Sequence, residues 1–410
     1  MKKFFALLLS LAMVLALVAC GQKDPTPDTP DTPDDPQTKV EYKVAMITDY
    51  GDITDQSFNQ TTYEACKAFA EDNSIEFSYF KPAGDNTADR VAMIEKAVDE
   101  GFNVIVMPGY AFGGAIVEAA PEFPDVKFIA LDVAAGDLLE TAVAKAGEAY
   151  DSTPENWDLN KYVDMSNVYC AVYQEELCGY MAGYAAVKLG YKNLGFLGGM
   201  SVPAVVRYGY GFVQGVDAAA ADLGLTDVKL NYIYGGQFFG DADITAVMDT
   251  WYQGGTEVVF ACGGGIYTSA VDAAKKVGAK VIGVDVDQAG VIANYAGVDG
   301  MTVTSAMKGL YPATYDTLTD VIVNGNWEKY VGKIETLGLV SGTDPEANYV
   351  QIPMGDGTQW SDSFTQDDYK AMVKDMFDGK ITVSNNTSSD VSAADFATVI
   401  TVDDQGSIKG

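Results

Sequence analysis

Histidine is absent from this chain. That excludes Ser-His-Asp and Cys-His catalysis and every His-ligated metal site. Cysteine is scarce, at positions 20, 66, 170, 178 and 262, and no pair has CxxC spacing. Cys66, Cys170 and Cys262 fall in apolar runs and read as small core residues, so nothing demands a disulfide framework. Cations are few: 26 Lys and Arg against 58 Asp and Glu, a net charge of −32. So acidic a chain repels phosphates and anionic headgroups, which argues against nucleic acid as a partner. Phosphate-binding fingerprints are missing as well. There is no Walker sequence, and Gly209-Tyr210-Gly211 followed by Gly215 breaks the GxGxxG spacing. No cofactor or metal is expected.

The chain opens with Met1-Lys2-Lys3 and an almost wholly apolar run over 4–19, too short and wrongly flanked for a spanning helix. It stops at Leu17-Val18-Ala19-Cys20-Gly21, which looks like a bacterial lipobox. The expectation is a signal peptide over 1–19, lipid on the Cys20 sulfur, and anchorage to the extracytoplasmic face of a bacterial cell membrane. Each buried acyl methylene contributes about 0.8 kcal/mol to such anchorage. Residues 20–39 alternate Pro with Thr and Asp, a composition that stays extended and unpacked, and read as a tether.

From residue 40 onward short apolar runs alternate with helical periods. Strands are predicted at 42–48, 75–80, 104–107, 127–131, 168–173, 194–197, 229–234, 257–261, 280–284 and 301–306. Helices are predicted at 58–72, 89–100, 175–189, 205–223, 243–253, 269–277, 311–323 and 369–377. This rhythm specifies α/β architecture with parallel sheets covered on both faces. The length exceeds one comfortable core, so two lobes are expected. The polar stretch 134–166 breaks the rhythm and reads as an insertion or a lobe crossing; 382–410 reads as a polar tail.

Several residues stand out against this frame. Asp49, Asp132 and Asp285 each follow the end of an apolar strand. Either they converge on one crevice as acceptors for hydroxyls or a base edge, or they cap the helices that follow. Phe58, between Ser57 and Asn59, offers a stacking face or a core residue of the first helix. Phe239, beside Phe238 in a Gly-rich loop, is the candidate for an opposing ring. Gly263, the first of three glycines after an apolar strand, allows either close backbone approach to a ligand or a tight turn. Lys308 sits in apolar context; it is either a surface lysine or a buried ammonium that needs a partner, for which Asp285 is the candidate.

The order of Thr48-Asp49, Asp55-Gln56-Ser57-Phe58-Asn59, Gly198-Gly199-Met200 with Pro203, Gly263-Gly264-Gly265, the run Val281-Ile282-Gly283-Val284-Asp285-Val286-Asp287-Gln288 and finally Lys308 resembles the basic membrane protein family. These are purine-nucleoside receptor lipoproteins, substrate-binding subunits of ABC importers. Glu175-Glu176 with Gly179, Ala182 and Gly183 fits the same family, and the likeness runs from about residue 40 to 377. The resemblance implies a type I periplasmic-binding-protein fold, two doubly wound lobes joined by a hinge. Lobe 1 would hold about 40–170 and 300–330, lobe 2 about 171–299 and 331–381. It implies a monomer that performs no chemistry, clamps adenosine, guanosine or inosine between its lobes and delivers it to a permease. Asp49 and Asn59 would then read the base, Phe58 would stack on it, and Asp285 and Lys308 would hold the ribose. The loop carrying Phe239 and the long segment after Asp132 depart from the family pattern. Residue types alone leave two other readings open, a pentose, hexose or furanose ligand in the same fold and a carboxylate-based nucleoside hydrolase or glycosidase.

Overall fold

The computed structural model describes residues 41–409. The expected leader, the Cys20 anchor and the tether lie outside the described residues. From Tyr42 onward the chain forms one contact unit built on two sheets.

The first part of the chain runs β1 (Lys43–Ile47), α1 (Phe58–Asn73), β2 (Glu76–Phe80), α2 (Thr87–Asp99), β3 (Val104–Pro108), α3 (Gly113–Ala119), β4 (Lys127–Leu131), α4 (Ala135–Lys145), α5 (Leu159–Tyr162) and β5 (Val168–Tyr173). The second runs α6 (Glu175–Lys188), β6 (Asn193–Gly198), α7 (Pro203–Asp222), β7 (Lys229–Tyr234), α8 (Ala242–Gln253), β8 (Val258–Cys262), α9 (Tyr267–Val277), β9 (Lys280–Asp285), α10 (Ala289–Ala296) and β10 (Thr302–Lys308). Then come α11 (Leu310–Leu318), β11 (Ile334–Leu337), β12 (Val350–Gln351), α12 (Gln366–Phe377) and β13 (Thr401–Ser407).

Both sheets are wound alike. The first has the order β11-β5-β4-β3-β1-β2 and the second β12-β10-β9-β8-β6-β7-β13. Within each, a five-strand parallel block reads 2-1-3-4-5, so a topological switch point falls beside its first strand, where ligands bind in open α/β sheets. The strands are continuous apolar runs because helices cover both faces: β1, β3 and β4 are buried along almost their whole length, as are β8 and β9.

Three features depart from the sequence reading. First, the division of the late chain is shifted. β10 joins the second sheet beside β9, whereas α11 packs on α1 and β11 pairs with β5 in the first. The chain therefore crosses between sheets after β5, after β10 and after β11. Apolar pattern marks a strand but not the sheet it joins. Second, 134–166 is no lobe crossing, because its first part is α4, an ordinary helix between the adjacent parallel strands β4 and β5. Its apolar face (Leu138, Leu139, Ala142, Val143) is buried, and only the segment beyond it is irregular.

Third, 382–409 folds back along α7 and ends in β13, parallel to β7 at the sheet edge. β13 is Thr-Val-Asp-Asp-Gln-Gly-Ser, almost entirely exposed, and such a charged edge strand carries no apolar alternation to read. A buried carboxylate ties the segment down. Asp217 on α7, 7% exposed, accepts the backbone N–H groups of Thr398, Val399 and Ile400 and the Thr398 hydroxyl.

Glycine permits one close approach that matters for the hinge. A Cβ on Gly211 would lie 2.1 Å from the Glu176 carbonyl oxygen, and one on Gly179 would lie 2.3 Å from that of Tyr208. α6 and α7 thus pack backbone to backbone, and α6 belongs with the second sheet.

Asp217 supplies a prediction. Burial works against its ionisation, but the Thr398 hydroxyl and the backbone donors outweigh burial and hold its carboxyl below 3.8. A folded pKa lowered below the unfolded value contributes stability above the unfolded pKa, and that stability is lost as pH falls through the folded one. Asp217→Ala is expected to cost about 1–3 kcal/mol at neutral pH and to make 391–407 protease-sensitive. Denaturation against pH should show the difference from wild type shrinking below pH 4.

Candidate functional site

The carboxyl ends of the two strand sets face each other across a cavity of about 390 Å³, inside the roughly 300–1,000 Å³ span of small-molecule pockets. Asp49, Phe58, Asn59, Asp132, Phe239, Gly263, Asp285 and Lys308 all line it. None of the three strand-end aspartates caps a helix: the caps of α1, α4 and α10 are Ser57, Ala134 and Gln288.

The walls are built from equivalent positions of the two lobes. β4 and β9 occupy the same place in their sheets; Asp132 directly follows the first and Asp285 ends the second, with φ of 60° and 64°. Aspartate is among the few side chains that tolerate this left-handed conformation. β3 and β8 are likewise followed by Gly109 and Gly263, with φ of 124° and 145°. A Cβ at Gly109 would fall 2.7 Å from Asp49 Oδ2, and one at Gly263 would fall 2.7 Å from the Phe238 ring. Both glycines are where a neighbouring wall residue fills the space a side chain would take.

On the first lobe, the loop after β1 folds on its own carboxylates. Asp49 Oδ1 accepts the N–H groups of Tyr50 and Gly51 at 2.6 and 2.7 Å. Burial raises the Asp49 pKa, although these bonds and the Arg90 charge oppose it. Asp55 accepts the N–H groups of Ser57, Asn59 and Gln60 and so closes the first turn of α1. The Asn59 Nδ2 also donates to Asp55 at 3.1 Å. A carboxylate only accepts, so the amide is oriented with its Oδ1 turned away, and that buried oxygen has no partner among the described residues.

The opposite end of the cavity is a charge cluster. Lys308, 5% exposed, pairs most closely with Asp132, and its ammonium lies 3.5 Å from Glu175 Oε1 and 3.8 Å from Asp285 Oδ1. The expected Asp285 partner is thus the most distant of three. Aromatic faces complete the cage, with ring centroids of Phe58, Tyr173 and Tyr208 at 4.7, 5.4 and 5.6 Å. Arg207 Nε bonds Glu175 Oε2 at 2.6 Å. Burial disfavours the Lys308 ammonium, but the carboxylates, Asp132 foremost, outweigh it and raise its pKa. Burial raises the Asp132 pKa against the pull of Lys308, and its Oδ1 is buried without a partner among the described residues. Asp137, also on the wall, is pushed up to about 7 by burial.

Several contacts close the lobes over the cavity. Ser57 Oγ donates to Asp285 Oδ2 at 2.5 Å, and Gln288 Nε2 donates to the Gln56 carbonyl at 3.2 Å. The hydroxyls of Tyr50 and Tyr110 reach Met200 Sδ at 3.6 and 3.7 Å. Phe238 meets the Tyr50 ring across the gap at 6.3 Å between centroids. Phe239 is 59% exposed, at the cavity rim. Sequence reasoning passed over Arg207 and Tyr50, and of the pair Phe238-Phe239 it favoured Phe239. Arg207 was within reach, being a rare cation between Val205-Val206 and Tyr208, the same signal that marks Lys308. Nothing local ranks Phe238 above Phe239.

The family model for Bmp, ABC transporter substrate-binding protein PnrA-like, matches residues 42–343. The chain belongs to this family. It is therefore a substrate-binding protein of the ABC transporter class and not an enzyme. The ABC transporter nucleoside-binding protein BmpA of Lactococcus lactis subsp. cremoris is 25% identical over 392 residues, covering 92% of this chain and 96% of that protein. An uncharacterized lipoprotein of Pyrococcus abyssi is 25% identical over 316 residues, covering 74% and 69%. Among solved structures, an ABC transporter system solute-binding protein of Aeropyrum pernix K1 superposes with a TM-score of 0.60 at 20% identity, covering 84% of this chain and 88% of that one. The type I solute-binding fold expected from sequence is the fold of this member.

The cluster yields a prediction. Lys308→Met leaves buried carboxylates without their cation, and removing one partner of a buried pair costs about 3–5 kcal/mol. With its main opposing influence gone, Asp132 rises further above 3.8. A raised acid favours folding at low pH and penalises it as pH climbs past the unfolded value. Thermal melts should find the variant closer to wild type at pH 5 than at pH 8.

Proposed function

We propose that this family member captures a purine nucleoside between its lobes and hands it to an ABC permease, held at the outer face of the membrane by lipid on Cys20. Adenosine, guanosine and inosine are the ligands in view, and the chain works as a monomer. One observation carries the reading. Asn59 and Asp132 line a cavity that also presents aromatic rings and an ammonium, and the Oδ1 of each is a buried acceptor with no partner among the described residues. Unsatisfied buried acceptors cost free energy unless a ligand supplies donors. A purine base offers N–H donors and a flat face, and a ribose offers vicinal hydroxyls.

In this assignment Asp49 and Asn59 accept from the base, and Phe58 and Phe238 lie against its faces. Phe238 is preferred over Phe239 because it packs in the wall and not at the rim. Asp285 and Lys308 hold the ribose, with Asp132 on the same side. The name of the Lactococcus relative and the lipoprotein name of the Pyrococcus relative agree with nucleoside capture and with the anchor. Closure follows from differential affinity: a ligand touching both walls favours the state in which both are present.

Calorimetry with nucleosides, free purines and free pentoses tests this. Nucleosides should bind best, and a free sugar binding while all three nucleosides fail would overturn it. Asp285→Ala should weaken nucleoside binding about 10- to 100-fold, the range for a hydrogen bond to a charged group, and leave free-base binding nearly unchanged. Equal losses would remove Asp285 from the ribose role.

A further inference from the structure

The segment 382–409 makes a contact that edge-strand pairing does not require. Just past β13, Lys409 reaches back over the loop 235–241 that joins β7 to α8 and carries both phenylalanines. Its Nζ donates to Gln237 Oε1 at 2.7 Å and pairs with the Asp241 carboxylate. Gln237 Nε2 in turn donates to the Phe239 carbonyl at 2.9 Å and to Asp241 Oδ2 at 3.0 Å. Both peptide neighbours of Phe238 are thereby tied to one ammonium. The backbone is equally close: Gly236 has φ of 78°, and a Cβ there would lie 2.7 Å from the Lys409 Cβ. The anchor also has its own hold on the lobe, since Ile408 N–H donates to the Tyr234 carbonyl at 2.8 Å and Trp251 Nε1 donates to Gln405.

The loop is also held from within its own lobe: Asp241 N–H donates to Ser269 Oγ at 3.0 Å, and Phe239 makes an isolated bridge to Gly265. Gly235 and Gly236 N–H groups donate to the carbonyls of Gly198 and Gly199, and the Phe238 carbonyl accepts from Gly265. The Phe238 ring then lies over the bare backbone of Gly199 and Gly263. On that face the glycines give the ring no side chain to lock against, so its place depends on how the loop backbone is held as well as on its packing against the core and Tyr50.

We infer that Lys409 is a positioning residue: through Gln237 and Asp241 it fixes the loop that sets the Phe238 ring in the cavity wall, so that the C-terminal segment tunes ligand affinity without touching ligand. The inference rests on the nucleoside reading for the identity of the ligand, and on geometry alone for the loop.

The test uses the full chain with Lys409→Ala, Lys409→Arg and Asp241→Asn, the last keeping a side chain that still caps α8. Amide exchange without ligand reads the loop, and calorimetry with adenosine, guanosine and inosine reads the site. The pair is partly exposed, so Lys409→Ala should leave the melting temperature nearly unchanged and weaken nucleoside and free base alike by about three- to five-fold. Exchange at Gly235, Gly236 and Asp241 should quicken while β6 amides stay as in wild type, Lys409→Arg should restore both readouts, and Asp241→Asn should reproduce the alanine variant without adding to it. Unchanged loop exchange would overturn the inference. So would faster exchange with unchanged affinity for a nucleoside that wild type binds. Faster exchange in a protein whose wild type binds none of the three nucleosides would support the anchor and defeat the nucleoside reading.

Discussion

A single buried ammonium organises the centre of this molecule. Lys308 enters from the second sheet, Asp132 from the first, and Glu175 from the helix that follows the first crossing. Taking that cation out of water is costly, and the cost is met only where three carboxylates and three aromatic faces converge. The lobes must come together for the set to be complete. Closure and the chemistry of the site are therefore the same arrangement, and Arg207 extends it to α7 by balancing Glu175. In a chain with so few cations, two of them sit in this one cluster.

Around that centre the fold repeats itself. Each lobe delivers an aspartate in left-handed conformation at the end of its fourth strand and a bare glycine after its third. What differs is what the glycine admits: a carboxylate in the first lobe, an aromatic ring in the second. Identical winding thus produces unlike walls, one rich in oxygen acceptors and one contributing a ring and a cation.

Much of this was readable from sequence. The apolar strands and their following aspartates are local signals, and so is a lysine in apolar context. Partnership is not local: Lys308 was matched to Asp285, in the neighbouring strand, yet its closest partner is Asp132 from the other lobe. Strand pairing escaped for the same reason: β10 reads as an apolar strand without naming its sheet, and β11, four residues that are half exposed, gave no strand signal at all. The C-terminal strand was invisible because its side chains face water and its binding energy is backbone pairing plus one buried aspartate on α7.

The glycine contact between α6 and α7 has a mechanical consequence. With the Glu176 carbonyl pressed against Gly211, α6 cannot slide or roll on α7 and must travel as part of the second lobe. The joint that α6 leaves to the first of the three crossings is the short stretch between Tyr173 and Glu175, where Gln174 N–H is bonded to the Leu337 carbonyl of another crossing. Glu175 and Arg207 then ride together on the rigid arm, next to the fulcrum, while Asp132 stays behind with the first sheet. Of the three carboxylates around Lys308, only Asp132 belongs to the first sheet, so a separation of the lobes would leave Glu175 and Asp285 with the ammonium.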